Sequence, residues 1–593
     1  ETPWGIRRLN AGGIWRFHPE TMRLQVLARG WVNSWGHHHD RFGQSFVTDG
    51  AGGEGINHLV PGAAYVTAIG VPRILRGLNP GSPKYCGLEI LSGRHLPEDW
   101  RGDLLTNDFR GNRVCRFKVT ESGSSYSARL MPDLIRTRHV AFRPIDIKMG
   151  PDGAIYIADW YNPIIQHGEV DFRDPRRDHV HGRIWRVTAK GRPLVKRQNL
   201  PKASTTQLIN NLSAAELWIR RHSRRVLQER PRKTRPQILQ ALADRLAELG
   251  PAGSNTPQGE STALEILWTC QALNTPAPKL LEQLLSATDP RVRAAACRVA
   301  AYWTELSETT LADRVRDPHP RVRLEAVRAI ARRGRDVLPL AMAALPMDRD
   351  TPLEYALWLT AWEQRSNWLD GLSNGNHRLH EGLDDAGRLF VYSSIKNPAV
   401  VPAVLELLGR GALSDTDRNR AVALLADLGG PGQLRIALDM ALDAKTPASQ
   451  SANLLDALAR EKDVFGYGLE IDPDGITACI ARGVNVIEQN LDDGLANFDD
   501  GACDLVVMVL LAACGMALLS YYLQFPAEIV PGIDDPTDAA VADRVFPHFI
   551  EHGLPVGLSG LVIAALFAVA MSSLDSGINS VATVLTVDFI RKR

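Results

Sequence analysis

The chain has 593 residues, 45% of them hydrophobic and 23% charged, with a formal net charge of +1. These are ordinary proportions for a globular protein of several domains, and so small a net charge gives no electrostatic case for nucleic acid, which is not expected as a partner. Seven cysteines, Cys86, Cys115, Cys270, Cys297, Cys479, Cys503 and Cys514, stand singly with no CxxC for zinc and no CxxCH for covalent haem, and they read as small buried hydrophobes.

In chain order, residues 1–200 carry strand patterns. Glu1 stands directly in that sequence, with no initiator Met or apolar leader, so the chain reads as a fragment whose start says nothing of compartment. Short runs at 45–48, 103–106 and 154–159 each end at a polar corner containing an aspartate, and the last follows the tight turn Pro151-Asp152-Gly153. A further strand recurs as GGIWRF at 12–17, GNRVCRF at 111–117 and GRIWRV at 182–187. Recurring strands at long spacing predict a partial β-propeller of about three blades with large insertions.

Chemistry-bearing side chains gather at two places. His37, His38, His39 and Asp40 follow a Trp-Gly turn, with Asp49 at the next strand end. Asp159, His167, Glu169, Asp171 and Arg173 open the polar insertion before the strand at 182–187. Adjacent strand side chains point to opposite faces, so of the three histidines only His37 and His39 can act together. The same residue types also serve purely structural ends, as Asx turns or as ion pairs such as Arg173 with Asp174 and Arg177 with Asp178.

The phrases GGIWRFHPETMRLQVLARGWVNSWGHHHDRFGQSFVTDGAGGEGIN and DWYNPIIQHGEVDFRDPRRDHVHGRIWRVT resemble the propeller of a family of large bacterial membrane-bound dehydrogenases, related to soluble quinoprotein glucose and sorbosone dehydrogenases. The resemblance implies oxidation of a sugar or alcohol with pyrroloquinoline quinone and calcium as cofactors, a periplasmic propeller, and cytochrome c as electron acceptor. It implies a His as general base, an acid that orients it, and basic side chains on the quinone. His37, His39, Asp40, Asp49, Asp159, His167, Glu169, Asp171 and Arg173 are the catalytic candidates by residue type, with no one-to-one mapping onto the family. The family's haem domain has no counterpart here, since no CxxCH occurs.

After Pro201 the period becomes helical, with helices expected at 214–230, 289–301, 317–332, 352–364, 400–409, 415–428 and 433–442. Asp289-Pro290 and Asp317-Pro318 suit helix starts, the aspartate capping free amides while proline begins the helix. Arg293 and Arg323 stand 30 residues apart, near the period of HEAT-like repeats, so residues 201–453 are expected to form an α-helical solenoid. Residues 250–260, rich in Gly, Pro, Ser and Asn, are expected as a loop. Such an array serves either as a concave protein-binding surface or as a spacer that braces the propeller.

From about 454 to 508, the sequence VFGYGLEIDPDGITACIARGVNVIEQNLDDGLANFDDGACDLVVM alternates strand and helix as a small α/β fragment does. It resembles the MetW type of class I methyltransferase. By that resemblance Glu470 accepts the ribose hydroxyls and Asp492 lies near the adenine. The Gly-rich turn that accommodates S-adenosylmethionine is missing, so binding of that cofactor is not expected.

Two uncharged, largely apolar runs at 505–523 and 554–574 have about the length a bilayer helix needs. The second leads into AMSSLDSGINSVATVLTVDFIRKR, and residues 509–593 resemble the sodium/solute symporter family as a membrane α-helical fragment. The resemblance makes the Ser572 and Ser573 hydroxyls and the Val569 carbonyl ligands of a sodium ion, a hard cation that takes oxygen donors. Small residues at 572–573 also suit helix packing alone. The ending Arg591-Lys592-Arg593 fits a cytoplasmic flank. Three unrelated families in one chain, each cut at an edge, lead us to expect a composite of gene fragments joined near 450–463 and 508.

Overall fold

The structure is a computed structural model that describes residues 3, 5–9 and 12–442, apart from 51–54, 66–73, 80–83, 167, 255, 304–307, 334–337, 374–382 and 411–412. His167, the methyltransferase-like piece with Glu470 and Asp492, and the symporter-like piece with Val569, Ser572 and Ser573 lie outside the described residues. Everything described falls in the first of the two units into which the chain divides, Glu1–Val484.

The N-terminal part is a series of four small antiparallel sheets, with no closed barrel among the described residues. A two-stranded ribbon joins β1 (Gly12–His18) to β2 (Arg23–Trp31), and a three-stranded sheet follows with β3 (Ser34–His39), β4 (Ser45–Asp49) and β5 (Ile56–His58). The third sheet has four strands, β6 (Tyr85–Ile90), β7 (Leu104–Asp108), β8 (Arg113–Ser122) and β9 (Ser125–Arg136). The fourth has three, β10 (Pro144–Met149), β11 (Ile155–Asp159) and β12 (Arg183–Val187). Within each sheet strand order follows sequence order, so each connection joins neighbours.

The last three sheets repeat one geometry. The aspartate that ends the second strand pairs with the first residue of the first strand, as Ser34 with Asp49, Tyr85 with Asp108 and Pro144 with Asp159. Each first strand then carries an irregularity at the same place, between Ser34 and His37, Cys86 and Glu89, and Pro144 and Asp146. Such bulges re-aim side chains and increase twist. The first strands lie against one another in sequence, β3 on β6 and β6 on β10.

Strand periodicity divides the cores between the sheets. On β7 and β8, Leu104, Cys115 and Phe117 face back onto Phe46 and Ile56, whereas Leu105 and Val114 face forward onto Ile147, Ile155 and Ile157. Strands β6 and β7 and the first half of β8 are therefore buried on both faces, while β9 stays partly exposed. All four described cysteines are buried free thiols, and burial pushes Cys270 up to about 11 and Cys115 up to about 12.

A helical region follows: α1 (Thr205–Asn210), α2 (Leu217–Glu229), α3 (Arg235–Ser254), α4 (Pro257–Ala272), α5 (Pro278–Leu285), α6 (Pro290–Ala300), α7 (Glu308–Val315) and α8 (Pro320–Arg333). It continues through α9 (Leu338–Met342), α10 (Thr351–Glu363), α11 (Arg365–Ser373), α12 (Asp385–Ile395), α13 (Val401–Arg410), α14 (Asp415–Leu428) and α15 (Pro431–Leu442). Asp289 caps α6 by accepting from the Arg291 amide, and Pro290 opens the helix. At the second expected start the helix begins later, at Pro320, where His319 Nδ1 accepts from the Arg321 amide, while Asp317 accepts from the His319 amide and from Arg293. The loop expected over 250–260 is a correction: Gly250 at φ 62° only kinks α3, and the Thr256 hydroxyl caps α4 at the Gly259 amide. Gly and Pro mark a kink and a cap as readily as a loop.

Three arginines on α2, α6 and α8 repeat one tether. Arg220 reaches the carbonyls of Ala214 and Ala215, Arg293 those of Ala287 and Thr288, and Arg323 those of Asp317 and Pro318. One apolar core runs from Ala28, Trp31 and Val47 on the sheets through the helices to Leu425. No described helix is long and apolar enough to cross a membrane, and the two apolar runs of the sequence lie outside the described residues.

Candidate functional site

The candidate residues sort onto two ends of the sheets. Trp35 stacks on Phe109 at 5.8 Å, and Arg143 donates to the Phe109 carbonyl at 2.8 Å, so the corners ending in Asp49, Asp108 and Asp159 share one end. His39, Ile90 and Met149 close the first strands at the other end, where the helices pack. A strand of five or six residues spans roughly 17–20 Å, so His39 and Asp40 are not brought together with Asp49 or Asp159, while His37, paired with Val47, turns its ring to Ser45.

At the corner end the carboxylates serve the backbone. Asp49 accepts from the Asn33 amide at 2.8 Å and the Val32 amide at 3.3 Å. Asp159 accepts on Oδ1 from the amides of Arg143 (2.8 Å) and Tyr161 (3.0 Å), and on Oδ2 from Arg183 Nε and Trp185 Nε1, both at 2.9 Å. Both therefore clasp the turn that enters their own sheet, and the Asp159 clasp also holds Tyr161 at a left-handed φ of 55°.

The insertion after Asp159 is held by its own turns. Glu169, Asp171 and Arg173 are exposed, and Asp171 accepts from the Arg173 amide at 2.7 Å. Buried Arg177 ties the loop by donating to the carbonyls of Asp171, Gln166 and Val170. The ion pairs differ from those expected at adjacent residues. Asp174 pairs with Arg176, whose hydrogen bond holds the carboxyl down at about 2, and Asp178 pairs with His181, held down to about 2 chiefly by the His181 and Val180 amides. An Asx turn sets the first spacing, because Asp174 faces the residue two positions on, and Asp178 accepts from the amides two and three positions on, which brings the His181 ring to it.

At the helix end, His37 and His39 lie on one face of β3 with their rings 4.6 Å apart. They share the Ser45 hydroxyl, at 3.3 Å from His37 Nε2 and 3.0 Å from His39 Nδ1. Burial, then neighbouring His38 and Arg221, pulls His37 down to about 4; burial, with His37 and Arg221, holds His39 well below the ordinary value. Both imidazoles are neutral at pH 7. Asp40 accepts on Oδ1 from the Phe42 and Gln44 amides, each at 2.8 Å, while burial pushes its carboxyl up.

Beside them is a group that reading the sequence missed. His38, Glu89 and Lys148 occupy one position in three successive sheets, opposite Phe46, Leu105 and Tyr156, each three residues before its corner aspartate. His38 Nε2 faces Glu89 Oε1 at 2.9 Å and Arg221 Nη1 of α2 at 3.0 Å, so one ring nitrogen chooses between donating to a carboxylate and accepting from a guanidinium. Glu89 also accepts from the Ile90 amide (3.0 Å) and the Met149 amide (2.9 Å), tying β6 to β10. Burial pushes Glu89 up, but the hydrogen bond and charge of His38, the Met149 amide and Lys148 outweigh it and hold the carboxyl low. Aligning the strands on their corner aspartates is the signal that finds this set.

Calcium takes six to eight oxygen ligands. Both carboxylate oxygens of Asp49 and of Asp159 already accept amide or side-chain N–H donors. Among the described residues, no group of three or more His, Cys, Asp or Glu is placed to hold a metal.

Comparison with known proteins places different families along the chain. A domain of unknown function, DUF7133, matches residues 81–191, and HEAT repeats match 277–358. The methionine biosynthesis protein MetW matches 448–513, and the sodium:solute symporter family matches 493–592. The sodium/sialic acid symporter NanT of Aliivibrio fischeri is 34% identical over 104 residues, 16% of this chain and 19% of the relative. The sodium/sialic acid symporter SiaT of Proteus mirabilis is 34% identical over 83 residues, 14% of this chain and 15% of the relative. The chain thus spans less than a fifth of the length of these curated relatives. Among solved structures, a glucose dehydrogenase aligns at 20% identity with a TM-score of 0.20, over 28% of this chain and 43% of its own. An engineered protein aligns at 12% identity with a TM-score of 0.17, over 43% of this chain and 97% of its own.

Proposed function

We propose that residues 12–442 are a binding framework, a partial fan of propeller-type blades of quinoprotein sugar or alcohol dehydrogenase lineage, clamped onto a HEAT-type helical array. The repeated bulge and corner aspartate support the blades, and the repeated arginine tether supports the array. The observation that carries the binding reading is the commitment of candidate catalytic groups to structure. Asp49 and Asp159 clasp turns, Asp40 folds its own loop, and His38 joins Glu89 to Arg221 of α2.

A second reading, oxidation of a sugar or alcohol, draws on His37 and His39. They are neutral imidazoles around one hydroxyl, half-buried, and a neutral imidazole can take a proton from a substrate hydroxyl at pH 7. Pyrroloquinoline quinone, if bound, would supply the oxidising equivalents, with cytochrome c as the acceptor. The test loads the full chain with pyrroloquinoline quinone and calcium and follows dye reduction with glucose or a primary alcohol. The framework reading expects no substrate-dependent reduction. Turnover that the double variant His37→Gln, His39→Gln abolishes would replace it with the oxidative reading.

For the C-terminal residues we propose membrane association, with sodium held by the Ser572 and Ser573 hydroxyls and the Val569 carbonyl. The symporter match over 493–592 supports this. Sodium-dependent solute uptake into vesicles carrying the chain tests it, and uptake indifferent to sodium ends it. Glu470 and Asp492 enter no proposal, because the Gly-rich turn their cofactor needs is missing.

A further inference from the structure

The third strands β8 and β12 carry the same motif, Arg-Val-Cys-Arg-Phe at 113–117 and Arg-Ile-Trp-Arg-Val at 183–187. They also sit in the same register. Arg113 pairs with Asp108 at 3.0 Å as Arg183 Nε does with Asp159 at 2.9 Å, and each arginine stands opposite its corner aspartate. The third occurrence of the motif, β1, pairs with β2; β8 and β12, each beside a corner aspartate, stand in two different surroundings.

Among the described residues, β8 has a neighbouring strand on its outer edge and β12 has none. Strand β9 pairs with β8 in antiparallel register from Arg113 to Ser122, whereas among the described residues β12 is the terminal strand of its sheet. Exposure follows. Val114 of β8 is 0% exposed, and its counterpart Ile184 is 77% exposed. Trp185, Val180 and Phe172 add exposed apolar surface at the same border. An open edge of this kind presents a row of unpaired amides and carbonyls to any extended chain.

Charge says which chain fits. From residue 173 to 197 there are nine Arg and Lys against two Asp. Both aspartates are already engaged, Asp174 by Arg176 and Asp178 by His181. Exposed Lys190, Lys196 and Arg197 flank the end of β12; Arg186, on the face of Ile184, is already held by Asp152 at 2.5 Å, and Arg192 donates to the His95 and Arg94 carbonyls. A strand of like charge would be repelled there, while an alternating strand sets one kind of side chain beside Ile184 and the other against Trp185 on the opposite face, and its carboxylates meet the positive charge of Lys190, Lys196 and Arg197 at the end of β12.

From these observations the geometry points to β12 as the docking edge for an acidic, extended segment of a partner protein, which adds antiparallel as a fourth strand in the way β9 covers β8. This assignment names a partner for the framework but stands apart from the oxidation question, since the dye assay reads no residue of β12.

The probe is a ten-residue peptide of alternating Glu and Val, added to the full chain and read by hydrogen exchange at residues 183–187 and by fluorescence anisotropy of the labelled peptide. Saturable binding that weakens with salt, with outward β12 amides exchanging at least about tenfold more slowly, is the expected result. Ile184→Lys with Lys190→Glu should weaken it about tenfold or more while leaving the circular dichroism spectrum and melting temperature unchanged. A peptide of alternating Lys and Val that binds equally well would overturn the proposal, as would no saturable binding. So would β12 amides already protected in the free chain, which assigns the edge to the chain's own residues, or protection that rises with protein concentration alone, which assigns it to a second copy.

Discussion

The two ends of the sheets use the same residue types in opposite ways. At the corner end Asp49 accepts from amides 16 and 17 residues away, and Asp159 from the Arg143 amide 16 residues away and the Tyr161 amide 2 away. At the helix end Asp40 still holds its own loop, but other acceptors and donors are far apart in sequence. Gln44 donates to Glu325 across 281 residues, Ser124 to Asp350 across 226 and Arg94 to Glu216 across 122, and Arg298 bridges Glu325 and the Phe42 carbonyl. A corner carboxylate shapes the entry to one sheet. A helix-end carboxylate fixes where the helices sit on several. The comparison teaches that a cluster of His, Asp and Arg is not yet a site until its acceptors have been assigned.

The largest expected effect tests the corner end. Asp159→Ala leaves two backbone amides, the Arg183 guanidinium and the Trp185 indole without their acceptor in a buried corner, and should cost about 3–5 kcal/mol in urea unfolding. Asp49→Ala should cost about 1–3 kcal/mol, for loss of the acceptor of the Val32 and Asn33 amides. Equal losses would break the view that Asp159 is the stronger clasp.

The helix end should show itself in acid. His37 falls from its ordinary 6.5 to about 4 in the folded chain, so between those values the unfolded chain binds a proton that the folded chain does not. Stability then drops as pH falls from 6.5 towards 4. The double variant His37→Gln, His39→Gln should flatten that slope in melting temperature against pH. Glu89 is held low, so its contribution is present above the usual carboxylate range and lost as pH falls through its folded value. Glu89→Gln should therefore cost about 1–3 kcal/mol at pH 7, and less as pH drops below about 4. A variant as costly at pH 3 as at pH 7 would show that shape, not charge, matters at this position.

What could be read from sequence was local. The corner aspartates, the recurring Ile-Trp-Arg strand and the Asp289 cap all show in runs of five or six residues, because turn chemistry and strand period act over that range. The shared face of His37 and His39 follows from the same period. The His38, Glu89 and Arg221 group does not, since Arg221 stands 183 residues from His38 and only the packing of α2 brings them together. Residues 250–260 misled for another reason: glycine at a kink and proline at a helix start have the composition of a loop. In the insertion after Asp159, dense charge suggested a site, but Asx turns and the arginine tether account for the contacts of Asp171, Asp174, Arg177 and Asp178.

The smallest effects come from that insertion, and two neighbouring arginines sharpen the contrast. Arg176 is exposed and meets Asp174 in solvent, where screening and side-chain entropy offset the attraction, so Arg176→Ala should change stability by no more than about 0.5 kcal/mol. Arg177 is buried and holds three carbonyls of the loop, so Arg177→Ala should cost about 1–3 kcal/mol and raise proteolytic cleavage within 166–178. Both substitutions remove one positive charge from adjacent positions. Long-range electrostatics would make them alike, whereas local carbonyl anchoring makes only the second felt, and the difference between the two variants separates these causes.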